Sequence, residues 1–331
     1  MLVVMKAKHL SVTIFLVIVL ILPITIANAQ EPTIFLNTSF EDAPSPQKCA
    51  WNGYTPTGFS GDIGDGETKD PDIAVMWVID SNDDPALGRL PPSFIDGSKV
   101  IYGKVKPDPE WSTEDFLMHV MSETQDFYIS WYQMFDPLPL GTSDWLPIFW
   151  DFVRKKDLTG TVTQYTVPAI KAILVGDSIE IVTDQDAHIN LTGATTTPYT
   201  IKPLTWYKFE FWHRLNEVNG EVTFKINNDT VFSFTGDTVP KTLDPNYVYT
   251  KIQGFEVGIQ MPGLNSPNNY TYWLDKIVTG NYVIPEFPTE LLLPIVILVT
   301  LVATVVSKKG LNWIHRNRTS SSHSDNTLEL H

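Results

Sequence analysis

The chain has 331 residues, with 38 acidic against 23 basic side chains and a formal net charge of −15. So acidic a surface repels nucleic acid and anionic polymers and attracts cations, which disfavours both a DNA-binding role and a lyase acting on polyuronates. A single cysteine, Cys49, excludes an intramolecular disulfide, so the fold must be held by its core and by any metal it binds; Cys49 itself reads as a small buried hydrophobe.

The chain opens with the features of an export signal. Lys6 and Lys8 precede the apolar run 10–26, and Ala27-Asn28-Ala29 supplies small residues for cleavage before Gln30, so residues 1–29 are expected to be removed. From Gln30 to Glu290 there are 36 acidic and 17 basic side chains, a balance of −19, with no internal repeat and no long Ser- or Gly-rich linker. Residues 30–282 therefore read as one exported domain. Two acidic loops come early. Asp62, Asp65, Glu67, Asp70 and Asp72 crowd a Gly-rich stretch, and Asp80, Asn82 and Asp84 have the D-x-N-x-D spacing of a calcium loop, although Pro85 and Pro91 stand where such a loop needs glycine and glutamate.

Trp111 to Glu123 carries a faint helical pattern, and beyond it the period is two. Strands are expected at Phe127–Phe135, Trp145–Val153, Ile170–Val175, Ser178–Thr183, Ile252–Gln260 and Tyr270–Thr279. In Trp206 to Leu215, Tyr207, Phe209, Phe211, His213 and Leu215 share one face, while Trp206, Lys208, Glu210, Trp212 and Arg214 share the other. Asn219-Gly220 ends that strand in a tight turn. Val222, Phe224 and Ile226 alternate with Glu221, Thr223 and Lys225, a turn follows at Asn227-Asn228-Asp229, and a third strand through Phe232 and Phe234 completes a meander. Ten or more short strands and 24 prolines predict an all-β, two-sheet antiparallel sandwich. Four N-x-S/T sequons in the exported region, at Asn37, Asn190, Asn228 and Asn269, permit glycosylation.

The C-terminal segment reads as a membrane anchor. Residues 283–290 form a short stalk, the uncharged run 291–307 forms a transmembrane helix, and Lys308, Lys309, Arg316 and Arg318 place the tail, 308–331, on the cytoplasmic side. Ile284-Pro285-Glu286-Phe287-Pro288-Thr289, the apolar run and the basic cluster together resemble the PEF-type C-terminal sorting signals of archaeal surface proteins. That resemblance implies cleavage near Pro285, Glu286, Phe287 and Pro288 by an archaeosortase-type enzyme. A permanent single span is the other reading, and the long polar tail departs from the usual form of the signal. Both readings put the domain at the cell surface.

The order of features in the domain also resembles a known family. Ser39-Phe40-Glu41-Asp42 as an opening strand followed by Trp51, the FYISWYQMF strand, Leu204-Thr205-Trp206-Tyr207 with its NG turn and KINN hairpin, and the final YWLDKIV strand look like the concanavalin A-like lectin/glucanase jelly roll, including its laminin-G-like relatives. Galactose-binding-like jelly rolls of carbohydrate-binding modules are the second candidate. Members bind carbohydrate, cleave it or bind proteins, so the fold does not choose among these. Both families often hold a structural Ca²⁺ between first and last strands, which implies Glu41 and Asp275 as ligands, with Asp80, Asn82 and Asp84 as an alternative site.

The E-x-D-x-x-E motif of glucanases is absent, and Glu180, Asp184 and Asp186 fit an aspartate-capped turn better than a catalytic pair. His119, His188 and His213 lie far apart with no metal-ligand spacing, and His213, on an apolar face, reads as a hydrogen-bonded core residue. Carbohydrate binding is expected instead, because an indole stacks on the apolar face of a sugar while neighbouring carboxylates take its hydroxyls. The candidates are Trp206, Glu210 and Trp212, then Trp145, Trp150 and Asp151 in the segment DWLPIFWDF. The chain is thus expected to be a surface glycan-binding protein, more a binder than an enzyme. An adhesive protein with protein partners and a polysaccharide-cleaving enzyme with an unrecognised site are the alternatives.

Overall fold

Alternation of large apolar and polar side chains builds the larger of two antiparallel sheets in the computed structural model, which describes residues 34–49, 56–59, 74–95, 97–106, 113–139, 145–159, 165–185, 187–241, 246–261 and 268–281. The export signal, Trp51, the 62–72 acidic loop, Asp186, the sorting motif, the apolar anchor and the tail lie outside the described residues.

The strands are β1 (Ile34–Thr38), β2 (Gln47–Cys49), β3 (Ala74–Asp80), β4 (Lys99–Val105), β5 (Thr113–Thr124), β6 (Asp126–Asp136), β7 (Trp145–Asp157), β8 (Tyr165–Val175), β9 (Ser178–Thr183), β10 (Thr195–Thr196), β11 (Tyr207–Arg214), β12 (Gly220–Ile226), β13 (Asp229–Gly236), β14 (Tyr247–Met261) and β15 (Tyr270–Gly280). The larger sheet runs β10-β13-β12-β11-β6-β15-β4-β3-β2, and the smaller β5-β14-β7-β8-β9. On β15, residues 270–274 pair with β4 and 277–280 with β1; the register shifts between Asp275 and Val278, where Lys276 has φ +48°. This is the two-sheet antiparallel sandwich that the period-two pattern implies.

Aromatic side chains fill the space between the sheets. Trp131 of β6 stacks on Phe149 of the opposite sheet at 5.1 Å and on Phe209 of its own at 5.4 Å, and Phe211 meets Phe149 at 4.7 Å. Two polar links cross this core, and burial makes each depend on good pairing. Gln133 accepts from Trp131 Nε1 at 2.9 Å and donates to the Gly258 carbonyl of β14, also at 2.9 Å. His213 Nδ1 and Asp151 Oδ2 lie 2.6 Å apart with both side chains fully buried, and Asp151 Oδ1 accepts from Ile170 N at 2.6 Å.

The structure differs from expectation in three elements. Residues 113–124 are not helical but form edge strand β5, paired with β14 from Met261↔Thr113 to Ile252↔Thr124; the tertiary pairing overrides a weak local pattern. Ser39 to Asp42 is a turn after β1, in which Phe40 takes φ +63° and buries its ring. Asn219-Gly220 does not form the turn alone: residues 215–219 make it, with Asn216 Oδ1 accepting from Val218 N and Asn219 N. Gly220 is needed for space, since a Cβ there would lie 2.0 Å from Thr238 Oγ1. The KINN hairpin turns on Asn227 and Asn228, both at positive φ (51° and 73°), the combination a two-residue type I′ turn requires.

Candidate functional site

The outward face of the larger sheet divides into two parts. Over β3, β4 and the first half of β15, Ile79, Val100, Tyr102, Met134 and Trp273 form an apolar cluster against which Trp77, Phe94 and Trp206 pack. The β3–β4 connection is pinned there: Trp273 Nε1 donates to the Arg89 carbonyl and Trp206 Nε1 to the Ser93 carbonyl, both at 2.7 Å. Arg89 lies 4.4 Å over the Trp77 ring and forms a two-point pair with Asp83 at 2.6 and 2.8 Å.

Beyond Trp206 the face carries a groove of about 340 Å³ across β6, β11, β12 and β13, lined by Tyr128, Glu210, Phe211, Trp212, Glu221, Thr223, Lys225, Thr230 and Ser233. Antiparallel register sets the polar side chains in rows. Tyr128, Trp212, Thr223 and Ser233 make one row, and Ser130, Glu210, Lys225 and Thr230 the next. Asp126, Arg214, Glu221 and Thr235 flank the first; Tyr132 and Lys208 flank the second. Only an alternating strand can hold Phe209, Phe211 and His213 in the core while presenting Lys208, Glu210, Trp212 and Arg214 to this face.

Glu210 is the centre of the groove. Its side chain is 8% exposed; Oε1 accepts the Tyr128 hydroxyl at 2.7 Å and lies 3.2 Å from Lys208 Nζ. A carboxylate set so deep needs such partners, and they fix its position. Trp212 forms part of the wall, with Arg214 4.8 Å over its ring; Arg214 also meets Asp126 at 2.6 Å, an exposed pair worth little in stability. The Trp212 Nε1 is buried and has no hydrogen-bond partner, so a donor is left unused at the edge of the groove. Lys208, Arg214 and Lys225 are matched here by Glu210, Glu221 and Asp126, so cations and carboxylates balance in and beside the groove although the chain as a whole is acidic. This face therefore lacks the repulsion of anionic polysaccharide that net charge alone implies, because net charge averages a surface whose charges are segregated.

The sequence-derived candidates fall in several places. Trp212 and Glu210 share the groove, whereas Trp206, on the same strand face, is half-buried with its N–H already bonded beneath the β3–β4 connection. Trp145 is 37% exposed at the start of β7 in the other sheet, and Trp150 is half-buried with Lys171 4.7 Å over its ring. Asp151, expected beside them at a ligand, instead points into the core, because the bulged register of β7 turns it inward to His213 and Ile170 N. Lys208 shares its strand face with Glu210 by alternation, whereas Tyr128 and Lys225 were not singled out from sequence; they lie on the two flanking strands, and only sheet register brings them to Glu210.

Of the calcium candidates, Glu41 accepts from Ser98 N and Lys99 N at 2.9 and 2.8 Å, tying the 40–43 turn to β4 across Gly97, whose φ of +73° and contact with Glu41 leave no room for a Cβ. Asp275 is fully buried and accepts from Lys276 N at 2.7 Å. Asp80 and Asp84 accept from Asn82 N and Ala86 N, closing local turns, and Asn82 is exposed. Among the described residues no three His, Cys, Asp or Glu side chains converge as metal ligands would. Glu180 is exposed on edge strand β9, and Asp184 pairs with Lys171 at 2.7 Å.

No protein-family model matches the chain, and no curated protein matches it. Among solved structures it is similar to an endo-β-1,4-glucuronan lyase from the fungus Trichoderma reesei, at 11% identity over 68% of this chain and 92% of that one, with a TM-score of 0.47. An alginate lyase from Chlorella virus is similar at 12% identity over 57% and 88%, TM-score 0.39. A second alginate lyase is similar at 13% identity over 71% and 96%, TM-score 0.39. All three of these neighbours are polysaccharide lyases, against the expectation that the chain is more a binder than an enzyme.

Proposed function

We propose that this domain cleaves an acidic polysaccharide by β-elimination in the groove on the outer face of its larger sheet. The observation that carries the reading is Glu210 at the groove floor, bonded to the Tyr128 hydroxyl at 2.7 Å with Lys208 Nζ at 3.2 Å and Lys225 opposite it in register. Hydrolysis by paired carboxylates needs them about 5–5.5 Å apart for retention or about 6.5–9.5 Å for inversion. The groove's two carboxylates are rooted farther apart than either spacing. Glu210 faces Lys225 and Glu221 faces Arg214, four residues further along each strand, which separates their Cα positions by about 13 Å.

Elimination asks for different groups, and the groove has them. A base must take the proton next to the sugar carboxylate, a cation must offset that carboxylate as negative charge builds, and the leaving oxygen must be protonated. Tyr128 takes the carbon-bound proton as its own hydroxyl proton passes to Glu210 Oε1. Lys225 offsets the uronate carboxylate. The glycosidic C–O bond breaks with its electron pair on the leaving oxygen, a C=C bond forms in the sugar ring, and the proton returns from Glu210 through Lys208 or water to the leaving oxygen. Trp212 holds the ring of an adjacent sugar once Arg214 turns toward the substrate's charge. The domain works outside the cell in this reading, exported by residues 1–29 and held by the apolar segment 291–307.

The test is to incubate the purified protein with glucuronan, alginate and a neutral β-glucan, following both new reducing ends and the ultraviolet absorbance of unsaturated uronate. Cleavage of an acidic polymer with both signals is expected, and Tyr128→Phe and Glu210→Gln should each lower the rate about 10²–10⁴-fold without loss of fold. Reducing ends without unsaturated product would make the enzyme a hydrolase and remove the elimination chemistry. No cleavage of any polymer with binding retained would remove the enzyme.

A further inference from the structure

The sequons supply a motif that the groove does not absorb, and one of them stands at a second cavity. Asn190-Leu191-Thr192 lies on an exposed loop between β9 and β10, at the rim of a depression of about 350 Å³ lined also by Phe234, Thr235, Asp237, Val239 and Lys241. Its floor is apolar, from Phe234 and Val239, and its rim carries hydroxyl, carboxylate and ammonium groups. A pyranose has the matching character, with an apolar C–H face and a ring of hydroxyls. The Asn190 side chain is itself arranged: Oδ1 accepts from Thr192 N at 3.1 Å and from Thr192 Oγ1 at 2.6 Å, and Nδ2 has no partner among the described residues.

The other three sequons are placed differently. Asn37 is inside β1, paired with Val278. Asn228 holds a turn position at φ +73°, and its sequon partner Thr230 lines the groove. The hydroxyl of the Asn269 sequon, on Thr271, donates to the Asp136 carbonyl at 2.6 Å.

We propose that Asn190 carries an N-linked glycan whose first sugars lie in the Phe234–Val239 depression. The modification is a glycosyl transfer from a lipid-linked phospho-oligosaccharide. Asn190 Nδ2 attacks the sugar's anomeric carbon, the C–N bond forms as the anomeric C–O bond breaks, the phosphate oxygen leaves with the electron pair, and the amide loses one proton. No oxidant or reductant is involved. Seated in the depression, the glycan joins the 187–194 loop to the end of β13, so it stabilises the domain. The proposal requires export but is independent of the groove's activity.

Peptide mass mapping of the full chain from its native host tests the first half. The peptide containing Asn190 is expected to carry a discrete glycan mass, which Asn190→Gln and Thr192→Ala both abolish while Thr192→Ser retains it. An unmodified Asn190 in exported protein overturns the proposal. Thermal unfolding tests the seat: loss of the glycan by either variant should lower the midpoint by about 2–4 °C, with Thr192→Ser unchanged. A modified Asn190 whose removal leaves the midpoint in place would overturn the seat in the depression and leave a glycan extended into solvent.

Discussion

Replacing Asp151 by alanine should unfold the sandwich far more readily than an average substitution, and the size of the effect follows from what Asp151 holds. Its side chain is fully buried on β7; Oδ1 accepts from Ile170 N and Oδ2 meets His213 Nδ1, each at 2.6 Å. Alanine leaves both partners in the core with no water to replace the carboxylate. At about 1–3 kcal/mol per buried unsatisfied group, two such groups cost about 2–6 kcal/mol. For a domain of this size each kcal/mol moves the midpoint by about 2–4 °C, so a fall on the order of 10 °C is expected in calorimetry or in denaturation followed by circular dichroism. Asp151→Asn should be milder, because the amide oxygen can still accept from Ile170 N and the amide N–H can donate to a deprotonated Nδ1. Joint replacement of Asp151 and His213 by leucine should cost less than the two single alanine changes added together, because it removes the polar demand from both sheets at once and leaves only Ile170 N. Asp151→Ala within about 1 kcal/mol of wild type would refute the reasoning. So would wild-type stability combined with lost cleavage, since the pair would then serve the groove and not the core.

Two tryptophans on one strand face should behave oppositely. Trp212→Ala is expected to weaken oligosaccharide binding by about 1–3 kcal/mol in titration calorimetry with little change in midpoint. Trp206→Ala should instead lower the midpoint, since it removes the N–H bond to Ser93 and a packing partner of Trp273 and Met134; weaker binding with unchanged stability would reverse that assignment. Gly220→Ala should destabilise measurably in a urea titration, because its Cβ must displace Thr238, and a neutral outcome would mean that Thr238 moves freely. If residues 284–289 are a sorting signal, intact-mass measurement of surface protein should end near Thr289, and recovery of the 308–331 tail would leave a permanent span.

The face assignment of β11 could be read directly from the order of residues. With a period of two, Phe209 and Phe211 have to share a side, and three charges in five positions on the other side cannot all enter a dry core. The same rule placed the β11–β12–β13 meander, its Asn227-Asn228 turn, and His213 as a hydrogen-bonded core residue, because these depend on neighbours in sequence. Register between distant strands does not. Asp151 looked like a ligand-facing residue because bulges in β7 that turn it inward arise from pairing with β8 and β14, and residues 113–124 looked faintly helical because their strand partner lies more than a hundred residues away. Trp206 and Trp212 were equivalent by alternation, and only the path of the β3–β4 connection covered one and left the other in the groove. Glu210 and Lys208 could be named from their strand alone, but Tyr128 and Lys225 acquired a meaning only when three strands were laid side by side, since a catalytic group is defined by distances across a sheet that the linear order of residues does not contain.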